Sequence, residues 1–156
     1  MIGILVISHG RLAEALISSV QFLVGHLKKV KGISIWPKDR REEIQNKIKK
    51  GIHEVDEGDG VIILTDILGG TPTNLSLSIF DDKRIEVVTG VNLPMLLTLS
   101  SYRTGKSLRE IGKLVKTSGR RSIILAKEIL ELKTRLAPNR FSIFDEEKVW
   151  PITNKI

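Results

Sequence analysis

The chain has 156 residues, the usual length of one domain, and it contains no cysteine, which excludes a disulfide scaffold and thiolate chemistry. The formal net charge is +7, a value that would suit a nucleic-acid or acidic partner. Because the basic residues are spread along the chain and only 4% of the residues are aromatic, we do not expect nucleic-acid binding.

Apolar runs typical of strands alternate with segments of helical period. The first run, "IGILVIS" at 2–8, lacks the basic region and the cleavage site of a signal peptide and predicts a strand buried on both faces. No stretch is long and apolar enough to span a bilayer, so we expect a cytoplasmic protein without membrane insertion. In chain order the predicted elements are a strand at 2–8, a helix at 12–25, a strand at 32–36, a helix from 39 to 55, a strand at 60–66, a helix at 71–80, a strand at 85–90, helices at 92–101 and 107–117, and a strand at 121–126.

Capping residues support several of the predicted helix starts. Asp39 with Glu42, and Ser107 with Glu110, have the spacing of capping boxes, and Thr71 suits an N-cap position before a proline. Strands that alternate with helices in this way favour right-handed crossovers. The sequence therefore predicts an α/β fold with a doubly wound, mostly parallel sheet and helices on both faces.

The residues after Ala126 follow a different pattern. "KEILELKTRLA" fits a short helix, whereas the remainder mixes charges, apolar residues and two prolines, and it fits either an appended strand or a partly ordered tail. We expect a domain over residues 1–126 and a C-terminal extension of unknown role over residues 127–156.

Two strands of the predicted sheet end in side chains that can act as a nucleophile, an acid or a base. The first ends at Ser8-His9-Gly10 and the third ends at Thr65-Asp66. Ligands of open α/β sheets bind beyond the carboxyl ends of the strands, and neighbouring strands lie about 5 Å apart. If these two strands are neighbours, Asp66 can accept a hydrogen bond from Nδ1 of His9 and leave the Nε2 lone pair free as a nucleophile or base. The alternative is that Asp66 caps a turn and His9 is idle.

A hydrolase does not fit these residues. The chain has no G-x-S-x-G elbow, and Ser8 is expected to point to the opposite face of its strand from His9. His9 itself is then the expected nucleophile. No cluster of histidines or carboxylates has the spacing of metal ligands, so we expect no metal site.

The stretch "DILGGTPTN" at 66–74 follows the third strand. Gly69 and Gly70 would let the backbone approach a ligand closely, and Thr71 begins a helix whose free N–H groups can bind an anion. The alternative is a flexible turn with an ordinary N-cap. An anion site beside a histidine that is oriented by Asp66 suits phosphoryl transfer.

Three motifs, "ILVISHG", "VIILTDILGGTPTN" and "EVVTGVNLPML", occur in an order and at a spacing that resembles the enzyme IIA domain of the mannose-type sugar phosphotransferase system. The resemblance covers about residues 1 to 126. It implies that His9 is the phosphorylated histidine, that Asp66 orients it, and that Thr71 lies beside the phosphoryl group where many members have serine. The residues expected around the phosphoryl group are Gly10, Gly69, Gly70 and Thr71.

The resemblance also implies a sheet of strand order 2-1-3-4, with "RSIILA" as a fifth, antiparallel strand exchanged between the subunits of a homodimer. The phosphoryl group would arrive from the phosphocarrier protein HPr and leave to a histidine of a IIB component, with no metal, nucleotide or other cofactor at this step. The implied function is that of a phosphocarrier in sugar uptake.

Two alternatives stay open at this point. A regulatory or orphan IIA protein, including the dihydroxyacetone-kinase type, would use the same His9 chemistry with another acceptor. A non-catalytic flavodoxin-like module would use its basic surface to bind nucleic acid or an acidic protein. The basic charge departs from the family, which is often neutral to acidic.

Overall fold

A computed structural model describes residues 1–67 and 84–130 of the chain. The chain divides into two compact units, Met1–Ser122 and Ile123–Ile156. The predicted helix at 71–80 and residues 131–156 lie outside the described residues. Within the described ranges, no helix combines the length and the apolarity needed to cross a membrane. In chain order the elements are β1 (Gly3–His9), α1 (Leu12–Val24), β2 (Val30–Ile35), α2 (Arg41–Val55), β3 (Val61–Thr65), β4 (Ile85–Thr89), α3 (Leu93–Tyr102) and α4 (Leu108–Arg121).

The four strands form one sheet in the order β2-β1-β3-β4, and every neighbouring pair is parallel. The predicted fold class and strand order are therefore confirmed. Every residue of β1 except His9 is buried, and all of β3 is buried. Uninterrupted apolar runs of this kind belong to central strands that are covered on both faces, and here they occupy the two central positions.

Helices cover both faces of the sheet. Ile44 and Ile48 of α2 pack in one core with Leu5 and Ile7 of β1. Gly32 of β2 points the other way, and a Cβ there would lie 3.2 Å from the side chain of Ile17 in α1. On that second face α3 packs against α1 and α4, and α4 also covers β4.

The strand predicted at 121–126 is not found in the described chain. Helix α4 runs past its predicted end at Thr117 to Arg121, because the helical period of buried residues continues through Val115 and Gly119. Residues 123–125 have no regular structure and residues 126–130 are helical. No described strand pairs with residues 121–126, and a strand without a partner has no ladder of hydrogen bonds to stabilise it.

The capping box predicted at Asp39 is also wrong. Helix α2 begins at Arg41, and the carboxylate of Glu43 accepts a hydrogen bond from the backbone N–H of Arg40 at 3.4 Å. Asp39 instead accepts from the N–H of Trp36 at 3.1 Å and from Nζ of Lys47 at 3.2 Å, so it closes the turn before the helix.

The second predicted capping box is confirmed. Oγ of Ser107 accepts from the backbone N–H of Glu110 at 3.3 Å, and the carboxylate of Glu110 accepts from the N–H of Ser107 at 2.9 Å. The two bonds satisfy free donors at the start of α4.

A buried arginine holds the end of α3 against the amino edge of the sheet. Arg103 is only 4% exposed, and its guanidinium donates to the carbonyl oxygens of Ile2 at 3.1 Å and Lys29 at 3.4 Å and to that of Lys28. One side chain therefore donates to three carbonyl groups that precede β1 and β2, of which that of Lys29 also accepts from the N–H of Ile4 at 2.9 Å.

We expect Arg103→Leu to lower the free energy of unfolding by about 2–3 kcal/mol, because the carbonyl groups of Ile2 and Lys28 lose the charged donor that Arg103 supplies. Arg109→Leu is the matched control, since Arg109 is exposed on α4 and should change stability by about 0.5 kcal/mol or less. Denaturant unfolding of both variants measures the difference. Equal effects would show that the guanidinium contacts contribute nothing specific.

Candidate active site

His9 is the last residue of β1 and the first to reach solvent. Its side chain is 49% exposed, whereas the preceding Ser8 is fully buried, as expected for neighbouring residues of a strand. Gly10 follows with a φ of +56°, in the left-handed region that favours glycine. The N–H of Gly10 donates to the carbonyl oxygen of Ile35 at 3.0 Å, so the turn after His9 is fixed to the end of β2.

Ser8 has a role that the sequence analysis missed. Its Oγ accepts a hydrogen bond from the backbone N–H of Ala13 at 2.8 Å, within the first turn of α1. The N-cap residue of α1 is Arg11, whose side chain makes no capping hydrogen bond. Position 11 is not Ser, Thr, Asn or Asp, and this could have indicated that another side chain accepts a hydrogen bond from the free N–H groups at the start of α1.

Asp66 directly follows β3 and meets His9 from the neighbouring strand. A single oxygen, Oδ2, accepts from the backbone N–H of His9 at 2.8 Å and lies 2.9 Å from the ring Nδ1. The other oxygen, Oδ1, accepts from the N–H of Ile67 at 2.8 Å. The structure therefore brings together the two residues that the sequence analysis paired.

Opposing effects act on the carboxyl group of Asp66. Burial alone would raise the pKa of Asp66, whose side chain is 9% exposed. Hydrogen bonds from the backbone N–H of His9, from the His9 ring and from the N–H of Ile67 have the opposite effect. Together they outweigh burial, so the pKa of Asp66 is lowered. The group is thus a carboxylate at neutral pH. Since a carboxylate only accepts hydrogen bonds, Nδ1 of His9 carries the proton when the ring is neutral.

This arrangement gives the ring of His9 one chemically free nitrogen. With the proton on Nδ1, the lone pair on Nε2 is available on a half-exposed side chain at the carboxyl edge of the sheet, where open α/β folds bind their ligands. Asp66 would also stabilise positive charge that develops on the ring when Nε2 forms a bond.

Of the residues predicted around the phosphoryl group, the structure describes only Gly10. Gly10 forms the turn described above, whereas Gly69, Gly70 and Thr71 lie outside the described residues, and their roles stay predictions. In the described part of the chain, no group of three or more His, Asp or Glu side chains could hold a metal ion.

The turn after β4 has a structural role at the edge of this site. The N–H of Val91 donates to the carbonyl oxygen of Thr65 at 2.9 Å and fixes the end of β3 just before Asp66. Asn92 caps α3 by accepting from the N–H of Met95 at 3.2 Å.

Comparisons with known proteins agree with this geometry. The sequence model of the "PTS system fructose IIA component" family matches residues 3–116. The fructose-specific EIIA component of Bacillus subtilis (strain 168) is 30% identical over 132 residues, which cover 84% of this chain and 90% of that protein. The mannose-specific EIIAB component of Escherichia coli (strain K12) is 33% identical over 124 residues, which cover 78% of this chain and 38% of that protein.

Solved structures give the same result. The PTS IIA protein associated with the fucose utilization operon of Streptococcus pneumoniae superimposes with a TM-score of 0.72 at 34% identity, over 82% of this chain and 95% of that one. The phosphotransferase system component EIIA of Streptococcus agalactiae has a TM-score of 0.75 at 26% identity, over 82% and 99% of the two chains. The chain belongs to the mannose-type IIA family of the sugar phosphotransferase system, whose members are phosphotransferases that carry a phosphohistidine intermediate.

We expect Asp66→Asn to lower the free energy of unfolding by about 1 kcal/mol near pH 7, and the difference to shrink as the pH falls below about 4. The pKa of Asp66 is lower in the folded protein than its usual value. Its contribution to stability is therefore present above the unfolded-state pKa and is lost as the pH falls through the folded-state pKa. Denaturant unfolding at several pH values measures the difference.

Glu42→Gln is the control for this pH series, because Glu42 is an exposed carboxylate on α2 that makes no described hydrogen bond. We expect it to change stability by about 0.5 kcal/mol or less, because an exposed carboxylate in the first turn of α2 interacts only weakly with the helix dipole. A difference between wild type and Asp66→Asn that stays constant from pH 7 to pH 3 would contradict the predicted linkage.

Proposed function

We propose that this member of the mannose-type IIA family accepts a phosphoryl group on Nε2 of His9 from the phosphohistidine of HPr and passes it to a histidine of a IIB component. The observation that carries the proposal is the 2.9 Å contact between Nδ1 of His9 and Oδ2 of Asp66, which directs Nε2 outward. The established family role, a phosphocarrier in sugar uptake, needs one such nitrogen on an accessible ring.

The transfer would proceed by in-line attack. The Nε2 lone pair of His9 forms a bond to phosphorus while the bond from phosphorus to the donor imidazole breaks, and the donor nitrogen keeps the electron pair. The proton on Nδ1 stays in its hydrogen bond to Asp66 throughout. As Nε2 becomes substituted the ring becomes positive, and the carboxylate of Asp66 stabilises that charge. The reverse sequence of bond changes delivers the phosphoryl group to the IIB histidine.

The equatorial oxygens of the phosphoryl group need donors during this transfer. We assign this role to the backbone N–H groups near Gly69 and Gly70 and to Thr71, with Gly10 lying beside the phosphoryl group, as the family resemblance implies. The assignment is supported by the position of Asp66, since the "LGGT" stretch follows it in the chain by only one residue. Donors in place before the reaction stabilise the transition state without further reorganisation.

We also propose that the protein acts in the cytoplasm as a homodimer, with a IIA domain over residues 1–126 and residues 127–156 as a separate extension. The apolar residues after α4 support the dimer: Ile123, Ile124 and Leu125 are 81%, 55% and 68% exposed. Consecutive exposed aliphatic side chains of this kind mark contact surfaces.

The dimer is tested by sedimentation analysis of the wild type and of an Ile123→Lys, Leu125→Lys variant. We expect the wild type to sediment as a dimer and the variant to shift toward monomer, because lysine cannot be buried unpaired in an apolar interface. Lys116→Gln with Lys127→Gln is a control that leaves the aliphatic residues unchanged. A monomeric wild type would contradict the proposal.

Phosphorylation of His9 is tested by incubating the protein with phosphoenolpyruvate, enzyme I and HPr, followed by intact mass measurement. We expect a gain of one phosphate that is labile in acid, as an N–P bond is, and that is absent from His9→Ala. Asp66→Asn retains the nucleophile but loses the carboxylate charge, so it should still gain phosphate, at a rate lower by about tenfold or more.

His53→Ala is the matched control, since His53 lies on α2 and is exposed. It should gain phosphate as the wild type does. A wild type that gains no phosphate from its cognate HPr, or a His9→Ala variant that gains as much as the wild type, would overturn the assignment of His9.

A further inference from the structure

A stripe of four basic residues runs along the outer face of α4. Its members, Arg109, Lys113, Lys116 and Arg120, follow one another at intervals of four, three and four residues and are all exposed. At 100° per residue they lie within an arc of about 60°, and at 1.5 Å per residue they extend over roughly 16 Å. We call these four residues the α4 basic stripe.

The α4 basic stripe has few negative charges beside it in the described part of the chain, and of its members Lys113 attracts the carboxylate of Glu110. None of the four residues is in a salt bridge with another described residue. The carboxylate of Glu110 is engaged by the N–H and the hydroxyl of Ser107. Glu86 of β4 lies under the inner side of the helix, where a Cβ on Gly112 would be 2.9 Å from its Cγ.

The apolar face of α4 is already occupied. Ile111 and Val115 are fully buried, and Gly119 packs against Met95 of α3. The helix therefore presents mainly positive charge outward, with Leu114, 36% exposed, as the large apolar side chain of α4 that still reaches solvent. Any ligand of this face must be recognised mainly by electrostatic attraction.

We propose that the α4 basic stripe binds the surface of a bilayer that contains anionic phospholipids. The inference rests on the proposed function in one respect, since sugar uptake takes place at a membrane. A straight row of exposed cations fits a flat anionic surface, to which each lysine or arginine is attracted independently. Helix α4 carries no aromatic residue for stacking on bases, which disfavours nucleic acid as the occupant.

The position of α4 keeps this surface apart from His9. Leu108 lies at the amino edge, where a Cβ on Gly60 would be 2.5 Å from its Cδ1, and Gly119 lies near Asn92, which follows the carboxyl end of β4. The helix thus runs along the strands, whereas His9 is at their carboxyl edge. A bilayer along the stripe would leave that edge open to protein partners beside the membrane.

The test is co-sedimentation of the unphosphorylated protein with vesicles of phosphatidylcholine alone and of phosphatidylcholine with phosphatidylglycerol. We expect binding to the anionic vesicles only, with a steep loss as salt rises. A variant with Arg109, Lys113, Lys116 and Arg120 replaced by Gln should lose on the order of fivefold in partition per residue, roughly 100-fold or more in all. Glutamine keeps the helix propensity of the replaced residues.

The matched control replaces four other exposed basic residues by Gln and removes the same net charge; its positions are Lys28, Arg41, Lys49 and Lys50. We expect this control to lose much less binding than the stripe variant. Equal losses, or equal binding to neutral and anionic vesicles, would overturn the proposal. Duplex DNA and polyglutamate are assayed in parallel, and tighter stripe-dependent binding to either than to anionic vesicles would assign the stripe to that occupant instead.

The vesicle assay uses no phosphoryl donor, so it separates this inference from the proposed function. The stripe variant should still gain a phosphate on His9 from HPr in solution, because no stripe residue lies at the carboxyl edge beside β1. Loss of vesicle binding with normal phosphorylation supports the inference. Failure of the wild type to gain phosphate would overturn the assignment of His9 and leave the vesicle result unaffected.

Discussion

The paired hydrogen bonds from His9 to Oδ2 of Asp66 are the contact on which the site depends, and they exist because two neighbouring parallel strands end at the same edge of the sheet. In the parallel register of β1 and β3, Ile7 lies opposite Thr65. Asp66 therefore comes level with Ser8, and its Oδ2 reaches both the main chain and the ring of His9, the next residue of β1. A shift of this register would move Asp66 along β1 and separate its carboxylate from the ring of His9.

That register is held by the core and not by the site itself. β1 and β3 are buried on both faces, with apolar residues packed under α2 on one side and under the helices of the other side. The strand alternation then places Ser8 inward, where it caps α1, and His9 outward, where it meets Asp66. Burial energy spread over the whole sheet thus fixes a geometry that two exposed polar contacts could not hold alone.

The sequence alone predicted those parts of the fold and the site that are set by residues close together in the chain. The buried runs of β1 and β3, the Ser107–Glu110 capping box and the outward direction of His9 all follow from patterns within a few residues. The order of the strands came from the family resemblance, because nothing in the apolar runs themselves says which strand lies beside which. The two predictions that the described chain does not bear out have different causes: the contacts of Asp39 are with residues three and eight positions away, whereas a strand at 121–126 needs a strand partner. Asp39 is engaged by Lys47, and "RSIILA" is apolar enough for a strand but has no described strand beside it.

The net charge alone did not indicate which partner the protein binds, because binding depends on where the charges lie on the surface. Spread over all faces, the excess of basic residues would favour solubility and weak attraction to any anion. Four of them instead form one row on a helix whose other face is buried, at right angles to the edge that carries His9. Phosphoryl transfer at His9 and electrostatic binding along α4 therefore use different surfaces of the same unit. A substitution on one surface can change its activity without altering the other.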